Sequence, residues 1–306
     1  MVTQQTLITC KPPEGEDKAF YDAIINDIQK DILQFISMRG HGKSTSLKTI
    51  VKKCREAHPE LQWLIFDVSQ TWYESAPVKY RQLVTRERIK AGQIVSVPDC
   101  VYEMGSLTEQ ERRMFVGTII AQVYRRRYNM KLNDPIAYAQ LPTMVFVVEE
   151  SNVVFGSYSF RVKDWISPVL ADFVSVGRNY KLSAILVATV EEGEMSPSLR
   201  RRSRRIYGRL VAEGDIARVR KNNKAMAKYL SEEIPRFNFV YWGDRFFGPV
   251  KVPNEVKTPA KDYIPAESIA QPKGATDGGI FFLKTLGWFA FFLFAFYMFL
   301  SYFGVL

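Results

Sequence analysis

The chain has 306 residues, a formal net charge of +10 at pH 7 and an isoelectric point of about 9.4. Its length suits one large α/β domain with extensions. The positive charge favours a polyanionic partner, nucleic acid or an anionic membrane surface, and a basic protein without such a partner is the alternative. Three widely spaced cysteines (Cys10, Cys54, Cys100) and two histidines (His41, His58) argue against a disulfide framework, a zinc site and a Ser-His-Asp triad, and favour a reducing compartment.

The first 30 residues are polar and mixed, and they predict an N-terminal extension without the basic start and apolar run of a signal peptide. Between residues 31 and 252, short apolar runs alternate with amphipathic stretches. This alternation predicts a mainly parallel sheet covered by helices on both faces. The predicted strands are 32–37, 61–68, 93–98, 143–150, 183–190 and 205–211, and the predicted helices are 43–57, 107–129, 164–178 and 214–230. A β-hairpin over 237–252, turning at Gly243-Asp244, ends the predicted domain.

The stretch FISMRGHGKSTSLKTI (35–50) runs from the first predicted strand through a glycine loop into a helix. The loop ends as the phosphate-binding pattern G-x-x-x-x-G-K-[ST] does, but Ser37 stands where that pattern has its first glycine. In such a loop, backbone N–H groups cradle phosphates, Lys43 reaches the β- and γ-phosphates and the Ser44 hydroxyl binds Mg²⁺. A helix cap rich in glycine and serine would not explain Lys43, so we predict an ATP and Mg²⁺ site. Its predicted nucleotide-binding residues are Gly40, His41, Gly42, Lys43, Ser44 and Thr45.

An NTPase of this type also needs acidic residues at the end of a distant strand. Asp67 ends LQWLIFD, and Glu149 and Glu150 end TMVFVVEE. Paired acids after an apolar run are costly unless a cation or a water network uses them. We therefore assign Glu149 to Mg²⁺ and Glu150 to activation of the attacking water. Asp67 is the alternative, with a structural or supporting role favoured for it.

The order of these motifs, followed by GRNYKLSAILVAT (177–189), an arginine-rich segment and a closing hairpin, resembles the HerA/FtsK superfamily of DNA-pumping ATPases, which includes viral genome-packaging ATPases. The resemblance covers about residues 30–252. It implies a P-loop NTPase of the α/β class, RecA/FtsK-like, with a mainly parallel sheet flanked by helices. It also implies hexameric rings around DNA, with ATP bound between subunits.

The chain departs from the superfamily pattern at three positions. Ser37 replaces the first glycine, Glu149 stands where aspartate is usual, and the sensor strand ends Thr189-Val190 instead of Thr-Gln. A longer carboxylate changes reach and not chemistry, so Glu149 is compatible with the Mg²⁺ role. Thr189 is then the candidate that senses the γ-phosphate.

Ring ATPases borrow an arginine from the next subunit as the γ-phosphate leaves. Arg178 is the first candidate for this trans arginine, and a structural ion pair is its alternative role. The other candidates are Arg200, Arg201 and Arg205.

The segment SPSLRRRSRRIYGRLV (196–211) concentrates positive charge. Ser196-Pro197 is a helix-start signal, which would place Arg200 with Arg204 and Arg201 with Arg205 on shared helix faces. DNA phosphates would neutralise these arginines without reading sequence. A nuclear-localisation or RNA-binding run is the competing interpretation. The second basic run, YRRRY (124–128), is predicted to be a solvated helix end.

Beyond the domain, residues 253–279 carry four prolines and predict an extended linker. Residues 280–303 (IFFLKTLGWFAFFLFAFYMFLSYF) carry no charge after Lys284 and are long enough to span a bilayer as one C-terminal transmembrane helix, with a buried core helix as the alternative. All basic residues precede or start this segment, so the large domain is predicted to stay cytoplasmic. The host membrane or an internal virion membrane would hold the anchor.

Together these features predict an ATP-driven DNA translocase, a membrane-anchored viral genome-packaging ATPase working as a homo-hexamer with a virion or membrane protein as docking partner. A Zot-like ATPase that extrudes filamentous virus and a conjugation-type DNA-transfer ATPase are alternatives. A membrane-bound NTPase that remodels protein partners is an alternative of another class.

Overall fold

A computed structural model describes residues 18–69, 72, 78–157, 161, 164–190, 195, 199, 203–242, 247–252 and 264–265. Within these residues the strands form one sheet in the order β10-β3-β4-β2-β5-β6-β1-β7-β8-β9. Neighbours from β10 to β7 pair in parallel, and β8 and β9 add an antiparallel hairpin. The mainly parallel sheet and the closing hairpin were both predicted, and both predictions are confirmed.

The strands are β1 (Ile32–Ile36), β2 (Gln62–Asp67), β3 (Tyr80–Leu83), β4 (Cys100–Glu103), β5 (Met144–Val148), β6 (Leu182–Ala188), β7 (Arg204–Tyr207), β8 (Asn238–Trp242), β9 (Phe247–Lys251) and β10 (Ile264–Pro265). The helices are α1 (Lys18–Ile28), α2 (Lys43–Ala57), α3 (Arg86–Lys90), α4 (Glu109–Asn133), α5 (Pro135–Gln140), α6 (Ser151–Phe155), α7 (Ile166–Val176), α8 (Glu213–Asn222) and α9 (Lys224–Lys228). A 3₁₀ turn (Gly177–Tyr180) precedes β6, and a π turn (Tyr229–Glu233) follows α9.

Helices cover both faces of the sheet because the central strands are apolar on both sides. Alternate residues of a strand point to opposite faces. Trp63 and Ile65 of β2 pack with α1 and α2, whereas Leu64 and Phe66 pack in the second core with α4 and α7. A third cluster joins α8 and α9 to the end of β7 and to β8. The central strands of the sheet are therefore buried on both faces.

The predicted strand at 93–98 is wrong. Residues 93–97 are irregular, and the next strand begins at Cys100. The Gln82 side-chain amide donates to the Val95 carbonyl (2.6 Å) and its oxygen accepts the Val95 N–H (2.9 Å). A side chain thus takes the backbone partners that a strand would need, and Pro98 offers no N–H to a ladder.

The start of the packed domain also differs from the prediction. The predicted extension 1–30 contains α1, whose Phe20, Ile24 and Ile28 are fully buried against the sheet. The Asp27 carboxylate accepts a hydrogen bond from the Tyr241 hydroxyl of β8. The core therefore includes residues N-terminal to the predicted boundary at 31, because α1 supplies one of the layers that cover the sheet.

Past residue 252, the described part of the predicted linker 253–279 is β10, which pairs in parallel with Tyr80–Arg81 of β3. The predicted span 280–303 lies outside the described residues. Among the helices that are described, none combines the length and apolar character needed to cross a membrane.

Candidate nucleotide-binding site

The predicted phosphate-binding loop leaves β1 at its carboxyl end and enters α2 at Lys43. Gly40 (φ 79°) and Gly42 (φ 94°) both adopt left-handed backbone, which side-chain-bearing residues rarely occupy. Gly42 is the N-cap of α2, and no side chain caps the helix there. The first N–H groups of a helix have no partner within it, so the first turn of α2, which carries Ser44 and Thr45, can donate to an anion.

The Lys43 ammonium lies within this loop and is partly buried. It donates to the backbone carbonyls of Ser37 and Met38, the second at 3.1 Å. Burial, and next the positive charge of Arg39, lower the pKa of Lys43 to about 8, and the Glu149 carboxylate opposes both effects. Lys43 thus lies near the start of its own loop and within electrostatic reach of the acid at the end of β5.

Strand β8 of the hairpin and the residue before it contact the other side of the loop. His41 is buried, and its Nε2–H donates to the Asn238 carbonyl at 3.0 Å. Burial is the main cause that lowers the pKa of His41, so the imidazole is neutral near pH 7. Phe237 (φ 65°) donates its N–H to the His41 carbonyl at 3.3 Å, and its ring lies against Gly42. A side chain on Gly42 would overlap this ring at 2.5 Å, so space as well as backbone angle requires glycine there.

Ser37, at the position of the missing first glycine, is fully buried. Its N–H donates to the Ala188 carbonyl at 3.3 Å, which extends the β1–β6 pairing by one residue. This backbone bond, which does not depend on the serine side chain, keeps the loop in register with β6, and Thr189 follows directly at the end of that strand.

Two carboxyl groups meet at the ends of the neighbouring strands β2 and β5. Asp67 and Glu149 are both buried and share Ser69, whose hydroxyl donates to either acid (3.1 Å to Asp67, 2.8 Å to Glu149). Trp72 bridges them as well, with its backbone N–H on Asp67 (2.9 Å) and its indole N–H on Glu149 (3.1 Å). The structure thus brings the two candidate acids together, so that Asp67 and Glu149 belong to the same site.

Burial, and next the negative charge of Glu149, raise the pKa of Asp67 to about 7. Two carboxylates this close together repel each other when both are ionised, so a bound cation would stabilise the pair. One or two carboxylates completed by phosphate oxygens are a usual Mg²⁺ environment, so the chemistry of the Glu149 carboxylate is compatible with the predicted Mg²⁺ role, which stays a prediction together with that of the Ser44 hydroxyl. Among the described residues no group of three or more His, Cys, Asp or Glu could hold a metal ion by itself.

Glu150 is half-exposed and stands apart from this pair. It adopts left-handed backbone (φ 48°) as the N-cap of α6, and Arg112 of α4 contacts its carboxylate at 3.0 Å. Positive φ at a residue other than glycine is uncommon and concentrates at functional sites. The turn separates the two glutamates, so that Glu149 points into the protein and Glu150 toward solvent.

Arg178 lies far from its own loop. It is exposed in the 3₁₀ turn before β6, at the amino edge of the sheet, whereas the phosphate-binding loop lies at the carboxyl edge. The seven residues of β6 separate these edges, a length of about 20 Å at about 3.3 Å per residue. Arg178 is thus not placed to contact a nucleotide bound to the same subunit's loop.

The prediction that Arg204 and Arg205 share helix faces with Arg200 and Arg201 is wrong. Arg204 and Arg205 begin β7, where successive side chains point to opposite faces. Arg204 pairs with the Asp31 carboxylate at 3.2 Å, and Arg205 donates to the Ser203 carbonyl at 3.2 Å. The β1–β7 pairing overrides the helix-start signal. Arg200 and Arg201 lie outside the described residues.

In the other basic run, 124–128, Arg127 is buried and donates to the Tyr180 and Lys181 carbonyls, so that run is only partly a solvated helix end.

Sequence reasoning missed four side chains that shape this site. Ser69 and Trp72 follow β2 within the quoted motif IFDVSQTWYES, so proximity to Asp67 was a usable signal. Arg112 and Phe237 come from distant elements, and no local pattern marks them.

These features define the class of the chain: it has the P-loop ATPase fold, in which the phosphate-binding loop joins a parallel strand to a helix. Enzymes of this class hydrolyse ATP.

Comparison with known proteins agrees on the fold. No family model matches the sequence, and no curated protein matches it. The chain is similar to the genome packaging NTPase B204 of Sulfolobus turreted icosahedral virus 2. In that protein's sulfate complex the identity is 13% and the TM-score 0.51, over 73% of this chain and 96% of that chain. In its AMP complex they are 14% and 0.50, over 73% and 98%. VirB4 of Thermoanaerobacter pseudethanolicus aligns with 11% identity and a TM-score of 0.49, over 72% and 89%. The predicted resemblance is confirmed at the level of the fold.

Proposed function

We propose that this chain is an ATP-driven motor that moves DNA, of the kind that packages viral genomes. The observation that carries the proposal is the placement of Lys43 within electrostatic reach of the buried Glu149 carboxylate, at the end of a glycine loop that opens a helix. The likeness in fold to a viral genome packaging NTPase supports the same direction.

Each residue of the site has a distinct task in this proposal. Backbone N–H groups from Gly40 to Thr45 hold the phosphates, and Lys43 neutralises the β- and γ-phosphates. Ser44 and Glu149 would hold Mg²⁺, which when bound neutralises phosphate charge. The half-exposed Glu150 orients and deprotonates the attacking water, and Thr189 senses the γ-phosphate.

The position of Arg178 supports the proposal of a ring of subunits. Since this side chain lies at the sheet edge away from its own loop, it can neutralise a leaving phosphate only on another subunit. We propose a homo-hexamer with ATP between subunits.

DNA is the proposed substrate because the chain is strongly basic (+10). Arg200, Arg201 and Arg205 would contact phosphates without reading sequence. Arg204 would do so in competition with Asp31, its ion-pair partner. Residues 280–303 are the proposed anchor in the host or virion membrane, with the ATPase domain on the cytoplasmic side and a virion or membrane protein as docking partner.

The test measures ATP hydrolysis by the full chain in detergent, with and without long double-stranded DNA, across a salt series. We expect DNA to stimulate hydrolysis and the stimulation to fade as salt rises, because phosphate contacts release counterions. Lys43→Ala is the control, folded and without turnover. A hydrolysis rate that DNA does not change at any salt concentration would refute the proposed translocase function and favour an NTPase that remodels protein partners. No hydrolysis by the wild type, or normal turnover by Lys43→Ala, would refute the site itself.

A further inference from the structure

Gly208, directly after β7, runs alongside the start of the phosphate-binding loop. Its N–H donates to the Ile36 carbonyl at 2.8 Å, and the Arg209 carbonyl accepts the Met38 N–H at 2.8 Å. These two bonds hold the backbones of 36–38 and 208–209 side by side. The segment after β7 therefore forms one wall of the loop.

No space exists for a side chain on this wall at position 208. A Cβ built on Gly208 would lie 2.3 Å from the Ser37 Oγ, 2.7 Å from the Ser37 Cβ and 2.7 Å from the His41 Cδ2. Ser37 is fully buried and His41 is 5% exposed, so neither side chain can turn out into solvent. The Gly208 backbone angle is not in the left-handed region, so close approach alone requires glycine here.

We propose that Gly208 is a positioning residue of the phosphate-binding loop and supplies the space that the glycine expected at position 37 would have given. The pattern keeps the strand-to-loop turn free of side chains by placing glycine in the loop itself. Here the Ser37 side chain fills that turn, and the residue without a side chain is Gly208 on the opposite wall. The inference rests on the proposed function, because it assumes that the loop binds nucleotide phosphates.

The Ser37 hydroxyl is buried and makes no hydrogen bond within the described part of the chain. Replacing Ser37 by glycine would therefore break no side-chain hydrogen bond within that part of the chain. Ser37→Gly should therefore be tolerated on its own. It should also relieve the overlap created by Gly208→Ala, whereas Ser37→Ala keeps the Cβ that lies 2.7 Å away and should relieve less.

The experiment measures the dissociation constant of a fluorescent, non-hydrolysable ATP analogue with Mg²⁺, using the full chain in detergent. We expect Gly208→Ala to weaken binding about tenfold or more, since overpacking of this degree displaces backbone. Adding Ser37→Gly should recover more than half of that loss on a logarithmic scale, with the His41 overlap preventing full recovery. Adding Ser37→Ala should recover less. Val211→Ala, at an exposed position of the same segment, is the matched control and should bind as the wild type does.

The thermal unfolding midpoint of each of these variants is also measured without nucleotide. If Gly208→Ala does not fold, a double variant that folds and binds supports the inference, and one that folds no better overturns it. Wild-type affinity in Gly208→Ala, or equal losses with and without Ser37→Gly, also overturns it. A wild type that binds no nucleotide refutes the proposed function and with it the positioning role. Non-additive midpoints would then still identify the Ser37–Gly208 contact as steric.

Discussion

Asp67→Asn removes one of the two buried carboxyl groups that meet at the ends of β2 and β5. In the folded wild type, burial and the Glu149 charge raise the pKa of Asp67 from 3.8 to about 7. The folded state therefore holds this proton more tightly than the unfolded chain does. The contribution to stability is fully present below about pH 4 and is lost as the pH rises through about 7.

The raised pKa corresponds to about 4 kcal/mol at about 1.4 kcal/mol per pKa unit. Sharing of the proton with Glu149 makes this an upper value, so we expect about 2–4 kcal/mol. Asparagine cannot ionise, and its oxygen can still accept the Trp72 N–H. Asp67→Asn should therefore exceed the wild type in stability at pH 8 and lose that advantage near pH 4.

The assay is thermal unfolding of the full chain between pH 4 and pH 8.5, in metal-free buffer without nucleotide. An advantage of 2–4 kcal/mol at pH 8 should raise the midpoint by about 5–10 °C. Asp172→Asn, which changes the same atoms at an exposed position, should leave the pH profile of the wild type unchanged. If the difference between the unfolding midpoints of Asp67→Asn and the wild type stays constant across this pH range, the raised pKa of Asp67 is refuted.

Three further changes test the site, the fold and the anchor. Glu150→Gln should keep ATP bound and slow hydrolysis by about 100-fold or more, because the proposed base is lost; single-turnover kinetics measures this, and wild-type turnover would refute the role. Asp164→Asn breaks the largely buried ion pair with Arg113 that joins α4 to the start of α7; we expect a loss of about 3 kcal/mol in the free energy of unfolding, and a loss below about 1 kcal/mol in urea titrations would contradict it. Removing 280–306 should release the protein from membranes in sedimentation assays, and continued pelleting would place the anchor elsewhere.

The central strands were predictable because each reads as a largely apolar run, as is typical of strands covered on both faces. β3 was missed because YRQL is polar and lies toward the sheet margin, where Leu83 is exposed. α1 was missed because its apolar residues, spaced four apart from Phe20 to Ile28, lie in an otherwise mixed segment. The irregular stretch around Val95 depends on the Gln82 side chain, which no local pattern reveals.

The chemistry of the site was predictable where chain neighbours define it, as in the loop from Gly40 to Thr45. It was not predictable where distant segments meet. The Asp67–Glu149 pair arises from the order of β2 and β5 in the sheet, and Arg112 reaches Glu150 from α4. The wall at Gly208 forms because β7 pairs with β1 across a long stretch of sequence.

The position of β1 between β6 and β7 has a consequence for synthesis on the ribosome. Ile32 pairs with Ala184, and Leu33 with Arg204. At about 5–20 residues per second, the roughly 150 residues between β1 and β6 take about 8–30 s to translate. Throughout that interval the nascent chain carries an unpaired strand that is apolar except for Gln34. The loop that follows it lacks the segments that later contact it. Chaperone engagement should therefore peak before β6 emerges, and nucleotide can help folding only after β7 has left the ribosome.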